Sequence, residues 1–404
     1  MTKETLFKAG RKIIDQLEHH NYEGYFVGGA VRDYMLQRPV NDLDITTNAL
    51  PDVIESLFDK TIDVGKAHGT IIVMMDDIPF EVTTYRLEGD YSDHRRPDAV
   101  YFTLHLKEDL SRRDFTINAM AMTQTMDLYD PYHGAADLKR QLITTVGQAS
   151  ERFNEDALRM LRAVRFMSQL DFTLSEETEL AVKEHAGLLQ HIAVERMTAE
   201  LEKLYSGINT ADAKNIIADS LLKYMPFFKY ISKDNYLNSV ASSLEAEAVI
   251  QIYKARDLQR HLPELKLSNR SKTVIKQALN LLDELNEKID AKLLAYRYET
   301  DIFQLVSDII KDNSFLNEAG ELLSEAAAVK VQLPIADRSA LAVNGNSLMA
   351  ALGLKGGPWL KDCLFAVERQ VVLGKIKNNE AEIINWVKTH VKNENGNIII
   401  TDGK

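Results

Sequence analysis

Tyr25-Phe26-Val27-Gly28-Gly29-Ala30-Val31-Arg32-Asp33, followed after eight intervening residues by Asp42-Leu43-Asp44-Ile45-Thr46-Thr47, sets the architecture of the N-terminal part of the chain. A short apolar run ends at a glycine pair, a helical stretch carries Arg32 and Asp33, and Asp42 to Ile45 alternates at the period of two that marks a half-buried strand. Outward from this core, Thr70 to Met75 is β-branched and apolar. Asp76-Asp77 offers a turn into Phe80-Glu81-Val82-Thr83-Thr84-Tyr85, which predicts a hairpin. The polar, basic run from Glu88 to Asp98 reads as a mobile loop. After about Gly147 the period changes to 3.6 and stays there nearly to the end, with Leu, Ala, Glu and Lys dominant. The fold class expected is therefore α+β, a small mixed-sheet region followed by an all-helical remainder.

At 404 residues the chain is too long for one core, because single cores stop growing at roughly 250 to 300 residues. Ser206-Gly207, Leu262-Pro263, Leu333-Pro334 and Gly356-Gly357-Pro358 are the breaks that divide the helical part. The single cysteine, Cys363, excludes an internal disulfide and a cysteine zinc cage. No signal-peptide core and no run approaching the roughly 20 apolar residues of a membrane span is present, so a cytoplasmic protein without membrane contact is expected. A net charge of −12 excludes a protein that coats nucleic acid by bulk electrostatics, so any such contact must be local.

The sharpest chemical signal is Asp42-x-Asp44. Residues two apart on a strand point to one face, so two carboxylates project together. Without a cation they repel, and hard divalent metals, Mg²⁺ above all, remove that cost. A pair of metals could activate an attacking hydroxyl and steady a leaving pyrophosphate. Glu81, on the polar face of a later strand, is a candidate third ligand. Gly28 and Gly29, ahead of a helical stretch with Arg32, could present backbone N–H groups to a phosphate. Asp-x-Asp and Gly-Gly are each common; their combination is far more specific.

This combination resembles the head signature of class II tRNA nucleotidyltransferases and bacterial poly(A) polymerases. The likeness continues through Arg112-Arg113-Asp114-Phe115-Thr116-Ile117-Asn118-Ala119, similar to the family's ribose and triphosphate motif, and through Asp130-Pro131 to Gly134. Glu155-Asp156-Ala157-Leu158-Arg159 resembles its nucleobase-selecting motif, and Val194-Glu195-Arg196-Met197 the helix that closes the neck. The resemblance, to the Gram-positive type of CCA-adding enzyme, implies a seahorse of four parts: head 1–147, neck 148–206, body 207–330 and tail 331–404. It implies addition of C, C and A to tRNA from CTP and ATP with Mg²⁺. Arg113, Asp114 and Asn118 would contact the nucleotide, Asp156 and Arg159 would choose the base, and Arg162 and Arg165 would lie near it.

The physics of that last motif is legible by itself. On one continuous helix, Asp156, Arg159, Arg162 and Arg165 step by three and form a drifting stripe. A solvated face explains such a stripe when it stands alone. A carboxylate beside a guanidinium, however, sets acceptors next to donors, as a base-pairing edge does. The exocyclic amine of cytosine or adenine would suit the carboxylate, whereas uracil and guanine would set a carbonyl against it. Sites of this kind reject wrong partners by roughly 10⁴ to 10⁵.

Between Gln251 and Asn280, Lys254, Arg256, Arg260, Lys266, Arg270, Lys272 and Lys276 face only Asp257 and Glu264, a local net charge of +5. These cations are candidates for the tRNA backbone, and a solvated helical face accounts for them equally well. Tyr91, Arg95 and Arg96 in the polar loop are a second candidate, for the growing 3′ end. The rival readings are a poly(A) polymerase, which often carries a basic C-terminal extension not seen after Thr401-Asp402-Gly403-Lys404, an enzyme adding only CC or only A, and an RNA-binding module without catalysis. Oligomeric state, a homodimer included, stays open.

Overall fold

The computed structural model describes residues 2–89, 99–313, 319–394 and 397–400. Tyr91, Arg95 and Arg96 lie outside them.

Strands β1 (Gly24–Val27), β2 (Asp44–Thr47), β3 (Thr61–Gly65), β4 (Thr70–Met75) and β5 (Ile78–Thr84) are followed by a separate pair, β6 (Arg86–Glu88) and β7 (Val100–Phe102), and by two short strands, β8 (Ala121–Met122) and β9 (Leu128–Tyr129). Seven of them form one mixed sheet in the order β3-β4-β5-β2-β1-β8-β9. β2 and β5 run parallel, with Ile45 opposite Val82, and the other pairings are antiparallel. The expected hairpin is β4–β5, and Asp76 and Asp77 turn it with φ of 53° and 59°, the left-handed pair that matches strand twist.

Helix α1 (Lys3–His19) packs on the sheet through Leu6, Ile13, Ile14 and Leu17, all buried at helical spacing. It crosses so closely that a Cβ at Gly10 would stand 2.9 Å from both Leu43 and Phe26, so glycine is required there. Leu43 is buried while Asp42 is exposed and Asp44 half-buried, the predicted alternation, although the strand itself begins only at Asp44. Helices α2 (Gly29–Met35), α3 (Pro51–Leu57), α4 (Leu106–Ser111) and α5 (Gly134–Arg140) complete the surroundings of the sheet.

The helical part departs from its sequence reading in three places. The helix expected around Glu155 is two helices, α6 (Ala149–Glu155) and α7 (Leu158–Leu170), with Asp156 extended between them at φ −139° and ψ 102°. Strand Leu142–Ile143 pairs in parallel with Thr173–Leu174, which ties the sequence before α6 to that after α7. Near the C-terminus, Val391–Glu394 and Asn397–Ile400 form an antiparallel hairpin where helix was expected. Helices α8 (Glu176–His185) and α9 (Val194–Tyr205) follow, and α9 packs along α7. Just beyond α9 the Ser206-Gly207 break meets α7, where a Cβ on Gly207 would fall 2.0 Å from Ser168 Oγ.

The chain forms two compact units, Met1–Asn238 with Asp257–Leu267, and Ser239–Arg256 with Ser268–Lys404. The first holds the sheet and α1 to α9. The second has a core in which Leu348, Cys363, Val367, Val371, Ile383 and Val387 are buried together. No helix among the described residues is long and apolar enough to cross a membrane.

Candidate active site

A cleft of about 490 Å³ in the first unit is lined by Gly28, Gly29, Arg32, Asp44, Arg112, Arg113, Asp114, Asn118, Asp156, Leu158, Arg159, Arg162, Arg165, Phe166, Gln169 and Arg196. All ten nucleotide-binding candidates named from the sequence are on its wall, with Asp44. Seven arginines against three aspartates give an acidic protein one strongly cationic concavity, which suits a polyphosphate.

Gly28 sits where β1 ends, at φ +71°. A Cβ there would stand 2.9 Å from Arg113 Nη1 and 3.8 Å from Asp44 Oδ2, so bare backbone separates the guanidinium from the carboxylate. Arg113 is partly buried, with its side chain 18% exposed, and desolvation makes its charge costly, pulling its pKa below the usual arginine range against the opposing pull of Asp109. Its Nε lies buried with no hydrogen-bond partner.

Asp44 is half-buried, and burial together with the charges of Glu81 and Asp42 pushes its carboxyl up to about 6, with Arg113 pulling the other way. Burial contributes most, Glu81 next, and Asp42 least. Glu81, exposed on β5, adjoins Val82, which faces Ile45 in the β2–β5 register. Among the described residues no group of three or more His, Cys, Asp or Glu side chains is arranged to hold a metal ion. Asp42 and Asp44, with Glu81 near enough for its charge to act on Asp44, remain the candidate donors for a cation, which would relieve the cost that raises Asp44.

The remaining wall is one connected polar chain. Arg32 makes two hydrogen bonds of 2.9 Å to its neighbour Asp33 and donates to Asn118 Oδ1 at 2.8 Å. Asn118 donates at 3.1 Å to Asp114 Oδ1, and Asp114 Oδ2 accepts from Arg162 Nε at 2.8 Å. Burial opposes ionisation of Asp114, yet Arg162 and the Asn118 amide hold it down to about 2. Arg165 Nε lies 2.8 Å from Glu200 on α9, an ion pair without hydrogen-bond alignment, and burial lowers the Arg165 pKa to about 10. The guanidinium of Arg165 lies 4.0 Å from the centre of the Phe166 ring, with Arg32 at 5.1 Å on the same ring.

Asp156 and Arg159, the pair expected to choose the base, are held differently from their sequence reading. Because the helix breaks at Asp156, that residue is not on the arginine stripe. Its Oδ1 accepts from the Leu158 N–H at 3.0 Å, capping α7, and its Oδ2 accepts from Arg196 Nη2 at 2.7 Å. Arg159 pairs with Glu155 and donates to the Arg152 carbonyl at 3.2 Å. Asp156 and Arg159 thus share the cleft wall, each steadied by its own partner. Asp130 accepts from the N–H groups of Gly134 and Ala135 at 2.8 and 2.9 Å and so caps α5. Gly134 lets α5 press on the turn that carries Asn118, since a Cβ there would lie 2.2 Å from Thr116 O. That motif shapes the site from behind.

Residues missed as site candidates from the sequence are Arg112, Phe166, Gln169 and Glu200, with Arg196 noted only as part of a closing helix. The basic candidates lie elsewhere. Lys254 and Arg256 belong to the second unit, Arg260 and Lys266 to the first, and Arg270, Lys272 and Lys276 to the helix Asn269–Asn286 of the second. All seven are exposed, and Arg256 is ion-paired with Asp283.

Sheet and cleft define a nucleotidyltransferase, and residues 24–144 match the family described as "Poly A polymerase head domain". Residues 171–231 match the family described as "Probable RNA and SrmB- binding site of polymerase A", and 245–387 that described as "tRNA nucleotidyltransferase domain 2 putative". A CCA-adding enzyme of Staphylococcus saprophyticus is 40% identical over 396 residues, spanning 96% of this chain and 99% of that protein. One of Staphylococcus aureus is 42% identical over 399 residues, at the same coverage. The crystal structure of the Bacillus stearothermophilus CCA-adding enzyme in complex with CTP superposes with a TM-score of 0.83 at 36% identity, covering 95% of this chain and 97% of that one. The chain belongs to the CCA-adding enzyme family, and its activity is CCA addition by nucleotidyl transfer. Neither a poly(A) polymerase nor an RNA-binding module without catalysis is favoured by that membership.

Proposed function

We propose that this one cleft performs all three additions of C, C and A to the 3′ end of tRNA, drawing on CTP and ATP and releasing pyrophosphate. The observation that supports this best is the common wall shared by Asp44, Arg113 and the Asp156–Arg159 pair. A CTP-bound relative with the same fold agrees with it.

Asp42 and Asp44 are the residues to hold a divalent ion such as Mg²⁺. When bound, it would lower the cost of forming the attacking 3′-oxygen and of charge on the departing pyrophosphate. Arg113, with Arg112 beside it, holds the triphosphate irrespective of the base. Asp156 accepts from the exocyclic amine of cytosine or adenine, and Arg159 donates to the adjacent ring acceptor. A carboxylate has about four acceptor sites, so the bonds from Leu158 and Arg196 leave capacity for the base. Glu155 and Arg196 keep both groups in place. The 3′-hydroxyl oxygen displaces pyrophosphate at the α-phosphorus, and the hydroxyl proton leaves to solvent.

Arg113→Ala is expected to raise the KM for CTP and ATP alike, by about tenfold or more, as removal of a charge-assisted phosphate contact would. Steady-state kinetics with each nucleotide checks this, and an effect confined to one of them would move Arg113 into base selection.

For tRNA itself the exposed cations of 254–276 are the candidates, together with the proposed division into head 1–147, neck 148–206, body 207–330 and tail 331–404. Replacing Arg270, Lys272 and Lys276 by Gln is expected to weaken tRNA binding and to flatten the plot of log K against log salt by about one unit for each phosphate no longer neutralised. An unchanged slope would make the group a solvated face. The function as a whole is tested by incubating the enzyme with tRNA that ends before its CCA, with CTP, ATP or both, and sequencing the product termini. C-C with CTP alone and C-C-A with both is the expected pattern. Addition that never proceeds beyond C-C would define a partial enzyme.

A further inference from the structure

We propose that Asp109 is a positioning residue for triphosphate binding: it aims Arg112 and Arg113 into the cleft and fixes them to the strand that carries Asp44. The inference rests on the assignment of Arg113 to the triphosphate.

Asp109 lies on α4, outside the motifs read from the sequence, and its side chain is 0% exposed. A carboxylate so placed is expensive unless its oxygens are fully used. Oδ1 accepts from Arg112 Nε at 3.0 Å and Nη2 at 2.9 Å, and from the Arg86 backbone N–H at 3.3 Å. Oδ2 faces Arg113 Nη2 at 3.7 Å and the Thr46 hydroxyl at 3.4 Å. That hydroxyl also lies 3.0 Å from the Thr83 carbonyl, the nearer of its two partners. One carboxylate therefore joins both cleft arginines to β2, two residues from Asp44, and to the chain just after β5.

The consequence for chemistry is directional. Arg113 has its Nη1 on the Asn118 carbonyl at 3.5 Å and its Nη2 toward Asp109, while its Nε is buried without a partner. Asp109 thus fixes the Nη2 side of a guanidinium that lines the cleft and whose Nη1 borders Gly28. An i,i+3 and an i,i+4 ion pair from one short helix set two side chains that would otherwise have several rotamers each. Pre-setting them spares the nucleotide that ordering cost, so the effect falls on binding of the triphosphate and is blind to the base.

The test pairs Asp109→Asn, which keeps the shape and removes the charge, with Asp109→Glu, which keeps the charge and moves it by one methylene. Both are assayed at a temperature where circular dichroism shows them folded. For either variant kcat/KM is expected to fall by about 10- to 100-fold with CTP and ATP equally, mostly through KM, as for a small misplacement of binding groups. The CTP:UTP ratio should stay at the wild-type value. In the double variant with Arg113→Ala the losses should be less than multiplicative, since one residue acts through the other. A kcat/KM within about twofold of wild type in whichever variant folds, or fully multiplicative losses, overturns the proposal. If Arg113→Ala alone leaves the KM of both nucleotides intact, it is the triphosphate assignment that fails.

Discussion

Asp44→Ala and Asp42→Ala should each abolish nucleotide addition, by about 10³-fold or more, while the protein stays folded and binds tRNA. The reason is local. Asp44 is half-buried near the charges of Glu81 and Asp42, and ionising it costs so much that its carboxyl rises to about 6. Because the folded chain resists that ionisation more than the unfolded chain does, Asp44 opposes folding above about pH 6. That cost vanishes as the pH falls below the ordinary carboxyl value of 3.8. Removing the charge should therefore leave the melting temperature of the metal-free protein unchanged or raise it. The same proton competes with a metal, so Mn²⁺ binding should weaken as the pH is lowered through about 6, a trend calorimetry can follow. Normal turnover by either variant, or metal binding that ignores pH over this range, would remove the aspartate pair from the centre of the mechanism.

What could be read from the sequence was the part where chemistry and local geometry coincide. The strand ending at Gly28-Gly29 and the Asp42-x-Asp44 alternation have short-range causes, positive φ at Gly28 and period-two burial around Leu43. The Asp76-Asp77 turn was equally local. Asp156 was misread as a member of a helical stripe because the stripe itself, Arg159, Arg162 and Arg165, runs unbroken in sequence. No proline or glycine marks the break; Asp156 makes it by bonding its own side chain to the Leu158 N–H, a competition between side chain and helix. Asp109 was not singled out in the sequence. Its spacing of three and four to Arg112 and Arg113 was the available signal, but only the sheet, through Thr46 and Arg86, shows that it is buried. From α9, Arg196 lines the cleft and Glu200 pairs with Arg165 of its wall, and no pattern within one helix predicts a partner about 40 residues away. The terminal hairpin did have a signal, Asn395-Gly396 ahead of Ile398-Ile399-Ile400, overlooked beside the long helical pattern preceding it.

The second large effect concerns selection. Asp156→Ala should relax base choice more than it slows chemistry, because the metal-binding candidates, Asp42 and Asp44, are different residues and stay in place. Cytosine and adenine lose one charge-assisted hydrogen bond, about 1.5 to 3 kcal/mol, while the uracil carbonyl no longer meets a carboxylate. Loss of the Leu158 cap should also cost about 1 kcal/mol of stability, visible as a lower melting temperature. Arg196 is left without its acceptor by the same change, so absolute rates should fall somewhat with every nucleotide. The ratios between nucleotides are therefore the informative quantity.

The central claim is that the protein's own side chains read the incoming base. Its most direct test is the set of kcat/KM values for CTP, ATP, UTP and GTP, for the wild type and Asp156→Ala, on tRNA that ends before its CCA. The account predicts that the CTP:UTP ratio falls by about 10-fold or more in the variant, chiefly because CTP is used less well. Wild-type ratios with all four nucleotides would make Asp156 only the partner of Arg196 and the cap of α7, and would contradict the claim.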